Sequence, residues 1–174
     1  MARPRRRLLS ARTWVWLAIV TLVALRVLTL SRAQGQRDFT VAPLQEGACE
    51  VRRVISGDTL MIVQDSQPGE IVVRLLSTQA PSADTHAALA TEAKQFAERF
   101  VARGEVSLRL DNHRLDARGR YLAYVECAGQ QLNESLIAAG LGRFYYFPGN
   151  SPSIDRRLKD AEAAAQAAKL GIWK

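Results

Sequence analysis

The pattern of apolar and polar positions changes along the chain and predicts strands first and helices later. Short β-branched runs are separated by turn residues, and such runs are typical of strands. Towards the carboxyl terminus the apolar residues recur every three or four positions, which is typical of amphipathic helices. The pattern predicts five strands, over residues 50–55, 59–63, 71–76, 106–110 and 121–126.

Three helices are predicted, one before the last two strands and two after them. Thr91 is the predicted cap of the first helix and Gly104 its stop. The other two are predicted over residues 133–139 and 153–170, and Ser151 or Ser153 caps the last one. This order favours an α+β domain: a five-stranded β-barrel of the oligonucleotide-binding type with three helices, because closing the barrel removes exposed strand edges.

The amino terminus has the pattern of an export signal. Residues 1–33 carry seven arginines and no acid, and most of these arginines precede the apolar stretch 14–25. One interpretation is a cleaved signal peptide that ends at the small residues Ser31 and Ala33, which leaves a secreted or periplasmic domain. The other is an uncleaved membrane anchor that tolerates Arg26. Either way, the arginines predict that the remainder of the chain lies outside the cytoplasm.

The remainder divides into a predicted tether, residues 34–47, and a domain, residues 48–174. The net charge of +7 lies in the leader, since residues 34–174 contain 17 basic and 17 acidic residues. A neutral domain does not attract polyanions by bulk charge, so phosphate recognition would rest on a few placed arginines. Cys49 and Cys127 lack zinc-site spacing, and in an exported domain they form either a disulfide or two buried free thiols.

Four segments carry a more specific signal together than any of them carries alone. They are residues 54–60, 73–81, 116–124 and 132–141. In this order and spacing they resemble the staphylococcal nuclease-like (thermonuclease) family, and the resemblance extends over roughly residues 49–173. It implies the barrel fold given above.

The resemblance also implies a site for phosphodiester hydrolysis. In that family a calcium ion and two arginines hold the phosphodiester while a glutamate activates water, and Arg74 and Arg120 match the two arginines. Asp58 matches a calcium-ligand aspartate, and Asp116 matches the aspartate that opens the segment of the second arginine. Tyr146 matches a tyrosine that contacts the nucleotide base, although core packing of its aromatic run is an equal alternative.

Three acids of that pattern are replaced here. Gln79 stands where a calcium-ligand aspartate is expected, Ser82 where the general base is expected, and Ser56 where an acid opens the turn before Asp58. Calcium takes six to eight oxygen ligands. One carboxylate with a glutamine carbonyl therefore predicts weak or absent calcium binding, and serine does not act as a base near neutral pH.

We therefore expect an exported nuclease-like domain with a two-arginine cleft for a nucleic-acid or nucleotide phosphate and with impaired catalysis. The alternative is an active metal-dependent endonuclease that cuts DNA or RNA with Asp84 as a relocated carboxylate. A third possibility is a protein-interaction domain with a vestigial cleft. The membrane is a further partner if the leader stays uncut.

Overall fold

Eight strands occur in residues 44–174, the part of the chain that the computed structural model describes. They are β1 (Gly47–Ser56), β2 (Thr59–Val63), β3 (Ile71–Leu75), β4 (Thr78–Gln79), β5 (Val106–Arg109), β6 (Tyr121–Cys127), β7 (Gln130–Gln131) and β8 (Arg143–Phe144). Antiparallel pairing joins β1 to β2 and to β5, β2 to β3, and β5 to β6. A parallel pairing of β3 with β6 closes the ring. The predicted closed five-stranded barrel is confirmed.

Three α-helices accompany the barrel in these residues, as predicted. They are α1 (Ala83–Val101), α2 (Leu132–Ala138) and α3 (Pro152–Ala167), and a short 3-10 turn, Gly171–Trp173, follows α3. Ser151 is the N-cap of α3 and Pro152 follows it at the first helical position, where the missing proline N–H costs nothing.

The predicted start of α1 is wrong. The cap is Ser82, whose Oγ accepts a hydrogen bond from the backbone N of Asp84 at 3.3 Å. Thr91 lies inside the helix, and its Oγ1 donates to the carbonyl of Ala87 at 2.9 Å. The alanine-rich residues before Thr91 extend the helix because alanine has the highest helix propensity. His86 interrupts the helix with non-helical backbone angles, φ −146° and ψ 65°.

Asn133, at the start of α2, ties that helix to the barrel. It is fully buried, its Oδ1 accepts a hydrogen bond from the backbone N of Val125 at 3.1 Å, and its Nδ2 donates to the carbonyl of Leu76 at 2.7 Å. Buried polar groups need such partners because an unpaired one is costly. The amide thus fixes α2 beside the seam where β3 meets β6.

The folded domain starts before the predicted boundary at residue 48. Leu44 is only 4% exposed and belongs to the barrel core. The side chain of Glu46 accepts a hydrogen bond from the backbone N of Leu110 at 2.8 Å. The end of the predicted tether is therefore part of the domain, and residues 44–174 lie in one compact unit. The rest of the tether and the predicted leader lie outside the described residues, and within residues 44–174 no helix has the length and apolarity to cross a membrane.

The structure has Cys49 and Cys127 as free thiols, one of the two alternatives that the sequence leaves open. Cys49 of β1 pairs with Val106 of β5, and Val106 pairs in turn with Cys127 of β6. Two strand spacings place the cysteines about 10 Å apart, whereas a disulfide needs Cα atoms within about 7 Å. Cys127 is buried, and the half-buried Cys49 has its pKa raised by burial to about 11.

Candidate active site

The turn between β1 and β2 positions Asp58 against α1. A Cβ on the preceding Gly57 would lie 2.6 Å from the Cβ of Ala93 in α1 and 3.0 Å from the Cβ of Ala80. These distances are too short for any side chain. Glycine at this position therefore lets the turn pack directly on the helix and sets the position of Asp58.

Both carboxylate oxygens of Asp58 accept hydrogen bonds. Oδ1 accepts from the hydroxyl of Ser56 at 2.9 Å and from the hydroxyl of Thr59 at 3.0 Å. Oδ2 accepts from the backbone N of Ala80 at 3.3 Å. Ser56 thus acts as a donor that orients Asp58.

The loop between β5 and β6 holds Asp116 and Arg120 together. Gly119 adopts φ +74°, and its N donates to the carbonyl of Asp116 at 3.0 Å, which folds the loop into a tight turn. Oδ1 of Asp116 accepts from the backbone N of Arg118 at 2.8 Å and of Arg120 at 3.0 Å. Oδ2 lies 2.7 Å from both Nε and Nη2 of Arg120. The guanidinium is therefore held by a forked, charge-assisted contact.

Arg74 faces both acids without a close hydrogen bond to either. It lies on β3 opposite Thr59 of β2. Its Nε is 3.7 Å from Oδ2 of Asp58, and its Nη1 is 3.9 Å from Oδ2 of Asp116. These distances give charge attraction but are too long for hydrogen bonds. The donors of Arg74 are thus oriented and still available to an anion.

The environment of Asp116 keeps its carboxyl ionised. Burial alone raises its pKa, but hydrogen bonds from the backbone and side chain of Arg120 and from the backbone of Arg118 outweigh burial and hold the pKa below its usual value. Asp116 is therefore charged throughout the neutral range and compensates the positive charge of Arg120.

These side chains line one cleft of about 430 Å³. Its wall is completed by the segment 79–82 and by Ala117 and Arg118. The structure thus brings Arg74, Arg120, Asp58 and Gln79 together, as the sequence predicts, and their chemical roles stay predictions.

The match to known proteins agrees with this geometry. The family model described as "Staphylococcal nuclease homologue" matches residues 72–174, more than half of the chain. The chain belongs to the staphylococcal nuclease family. The thermonuclease of Staphylococcus hyicus is 28% identical to it over 162 residues, which cover 89% of this chain and 94% of that protein.

Two further relatives show the same likeness. The thermonuclease of Staphylococcus intermedius is 30% identical over 128 residues, which cover 71% of this chain and 74% of that protein. Endonuclease YncB of Bacillus subtilis is 30% identical over 126 residues, 70% of this chain and 59% of that protein.

Ser82, which the resemblance matches to the general-base position, is the cap of α1. Ser82 lines the cleft, and its hydroxyl accepts the backbone N–H of Asp84. Asp84 is exposed in the first turn of α1 and is not among the residues that line the cleft. The geometry therefore gives no support to Asp84 as a substitute base.

Tyr146 also lies outside the cleft lining. Its side chain is 57% exposed, and Nζ of Lys159 lies 5.7 Å from its ring centroid. Its neighbours Phe144 and Phe147 pack against a cluster of buried side chains that includes Leu122 of β6 and Leu158 of α3. This supports the packing alternative for those two rings. The structure does not bring Tyr146 to the arginines.

Sequence reasoning missed two contributors to the cleft. The hydroxyl of Thr59 contacts Asp58 and lies 3.5 Å from Nη1 of Arg120, so it links the two sides of the cleft. The sequence signal for this role of Thr59 was its position directly after Asp58. The backbone N of Ala80 also holds Asp58, and no pattern along the chain predicts a contact between residues so far apart.

The donor set does not fit the calcium ion that the resemblance implies. Both oxygens of Asp58 are engaged by protein donors, and Asp116 is engaged by Arg120. Within residues 44–174 no group of three or more histidine, cysteine or acidic side chains is placed to hold a metal. Calcium takes six to eight oxygen ligands and therefore needs more available oxygen atoms than these two carboxylates offer.

Proposed function

We propose that this domain binds the phosphate of a nucleotide or nucleic acid between Arg74 and Arg120 and hydrolyses it slowly or not at all. Two guanidinium groups, one held by Asp116 and one with free donors, suit a phosphate that accepts forked hydrogen bonds. Membership of the nuclease family supports the ligand class.

The proposal of impaired catalysis rests on one observation, the role of Ser82 as a helix cap. Its hydroxyl is used as the cap of α1, and among the described residues the carboxylates that line the cleft, Asp58 and Asp116, are both engaged by protein hydrogen-bond donors. A missing general base typically costs a factor of about 10² to 10⁴ in rate. Weak calcium binding, proposed from the same donor set, removes further stabilisation of the transition-state charge.

The test uses residues 34–174, which contain the whole compact unit. Plasmid and single-stranded DNA are incubated with and without calcium, and calorimetry measures binding of a nucleoside bisphosphate and of calcium. We expect bisphosphate binding that Arg120→Ala abolishes, calcium binding no tighter than millimolar, and no cleavage above that of Arg120→Ala. Calcium-dependent cleavage that Arg120→Ala abolishes would show an active endonuclease and refute the proposal.

A double substitution that restores the two acids tests whether their loss alone explains the impaired catalysis. Gln79→Asp with Ser82→Glu should raise cleavage at least about 10²-fold. The matched control, Gln79→Asn with Ser82→Gln, changes the same side chains without adding charge and should stay silent. Loss of the serine cap costs about 1 kcal/mol in both pairs, so their stabilities stay comparable.

We further propose that the domain works outside the cytoplasm, on the pattern of arginines and apolar residues in residues 1–33. Alkaline phosphatase fused after residue 43 should be active, because it folds only after export. Activity of a β-galactosidase fusion at that position instead would contradict export.

A further inference from the structure

A second concave surface adjoins the cleft. This groove has a volume of about 750 Å³, and the segment 79–82 lines both the groove and the cleft. Its apolar part includes Leu89 of α1 and Ile172 of the 3-10 turn, and Arg143 and Lys174 contribute its positive charges. The cleft and the groove therefore share one wall.

Local structure fixes the groove in place. Gln79 of β4 pairs with Arg143 of β8, so the backbones of the cleft wall and of the groove wall are hydrogen-bonded neighbours about 5 Å apart. The 3-10 turn is anchored by a hydrogen bond from the N of Ile172 to the carbonyl of Gly140 at 2.9 Å. His86, at the kink inside α1, lines the groove on the third side.

Acidic side chains of the described residues do not compensate the positive side chains of the groove. No acidic side chain occurs among the described residues that line it. The guanidinium of Arg143 lies 4.8 Å from the ring centroid of Trp173, a cation–π contact that holds the side chain and leaves its charge in place. Within residues 44–174 neither Arg143 nor Lys174 has an acidic partner at ion-pair distance. A negatively charged ligand with apolar faces matches this surface.

We propose that the groove binds the nucleotides that flank the phosphate held in the cleft, on a single-stranded polynucleotide. This inference rests on the function proposed above. An unpaired strand offers phosphates to Arg143 and Lys174 and base faces to Leu89 and Ile172, which is how proteins bind single strands without reading their sequence. A duplex keeps its base faces stacked inside and gains nothing from an apolar floor.

The test compares oligonucleotide lengths by fluorescence anisotropy with residues 34–174. Labelled thymidylate oligomers of two and eight nucleotides and a nucleoside bisphosphate are titrated with the wild type and with Arg143→Ala/Lys174→Ala. The matched control is Arg109→Ala/Arg156→Ala, which removes the same charge from exposed positions that line neither depression.

We expect the octamer to bind the wild type about tenfold more tightly than the dimer. The groove variant should lose that gain and keep its bisphosphate affinity, and its salt slope should fall by about 1.4, since each single-strand phosphate contact contributes about 0.7. The control variant should bind like the wild type. A second groove variant, Leu89→Asp, should also lose the gain in affinity, because it places a carboxylate on the apolar surface of the groove, where it repels phosphates.

Three results would overturn the inference. They are equal affinity for the dimer and the octamer, equal losses in the groove and control variants, and displacement of the octamer by polyglutamate at the same concentration, which would indicate an acidic protein as the occupant. Failure of the proposed function looks different, because the bisphosphate then does not bind at all while the octamer still depends on Arg143 and Lys174.

Discussion

Asp116→Asn is the most direct test of how the cleft is held together. The asparagine Oδ1 can still accept the two backbone N–H groups, but its Nδ2 cannot accept from the guanidinium of Arg120. A hydrogen bond to a charged group contributes about 1.5 to 3 kcal/mol, and the pair is partly screened because Arg120 is 22% exposed. We expect the free energy of unfolding to fall by about 2 kcal/mol at pH 7.

The pH dependence of this stability loss is the more specific test of the ion pair. The folded-state pKa of Asp116 lies below the ordinary value for aspartate, about 3.9, so its ionic contribution is fully present above that value and is lost as the pH falls through the folded-state pKa. The difference between wild type and Asp116→Asn should therefore be constant from about pH 5 to pH 8 and shrink below about pH 4.

Urea unfolding followed by circular dichroism measures both effects on residues 34–174. Asp160→Asn, at an exposed position of α3, is the matched control and should change stability by less than about 0.5 kcal/mol. A loss at Asp116 as small as that of the control, or a loss that persists unchanged at pH 3, would refute the ion-pair account.

Two further substitutions test the packing that supports the site. Asn133→Asp removes the buried donor to the carbonyl of Leu76 and places a carboxylate against it, so we expect a loss of about 3 kcal/mol in urea unfolding; a loss below about 0.5 kcal/mol would contradict the role of that amide. Gly171 has φ +49°, and a Cβ there would collide with the carbonyl of Gly140. Gly171→Ala should lower the melting temperature by several degrees, whereas Gly104→Ala, where a Cβ meets nothing within 4 Å, should leave it unchanged.

The sequence predicted the barrel because its strands alternate and its turns are marked by glycine, aspartate and proline. It misplaced the start of α1 because residues 83–88 are exposed on all sides and show no apolar stripe. The sequence left the disulfide and the free thiols as open alternatives for a different reason. Only the sheet order shows that β5 lies between the two cysteines, and spacing along the chain carries no such information.

The sequence predicted several residues of the cleft but not the contacts that hold them in place. The motifs identified Arg74, Arg120 and Asp58, because each lies in a short segment with a recognisable pattern. The forked contact between Asp116 and Arg120 depends on the backbone turn at Gly119, and the capping role of Ser82 depends on where α1 begins. Both are set by backbone geometry that one chain's pattern does not determine.

The parallel seam between β3 and β6 has a kinetic consequence. Arg74 pairs there with Leu122, so the ring closes through residues far apart in the chain, and such nonlocal contacts slow folding. Arg74 and Arg120 reach the cleft from the two sides of that seam. A phosphate ligand should therefore find no binding site in an open, partly assembled chain, and it should retard unfolding while leaving the refolding rate unaltered.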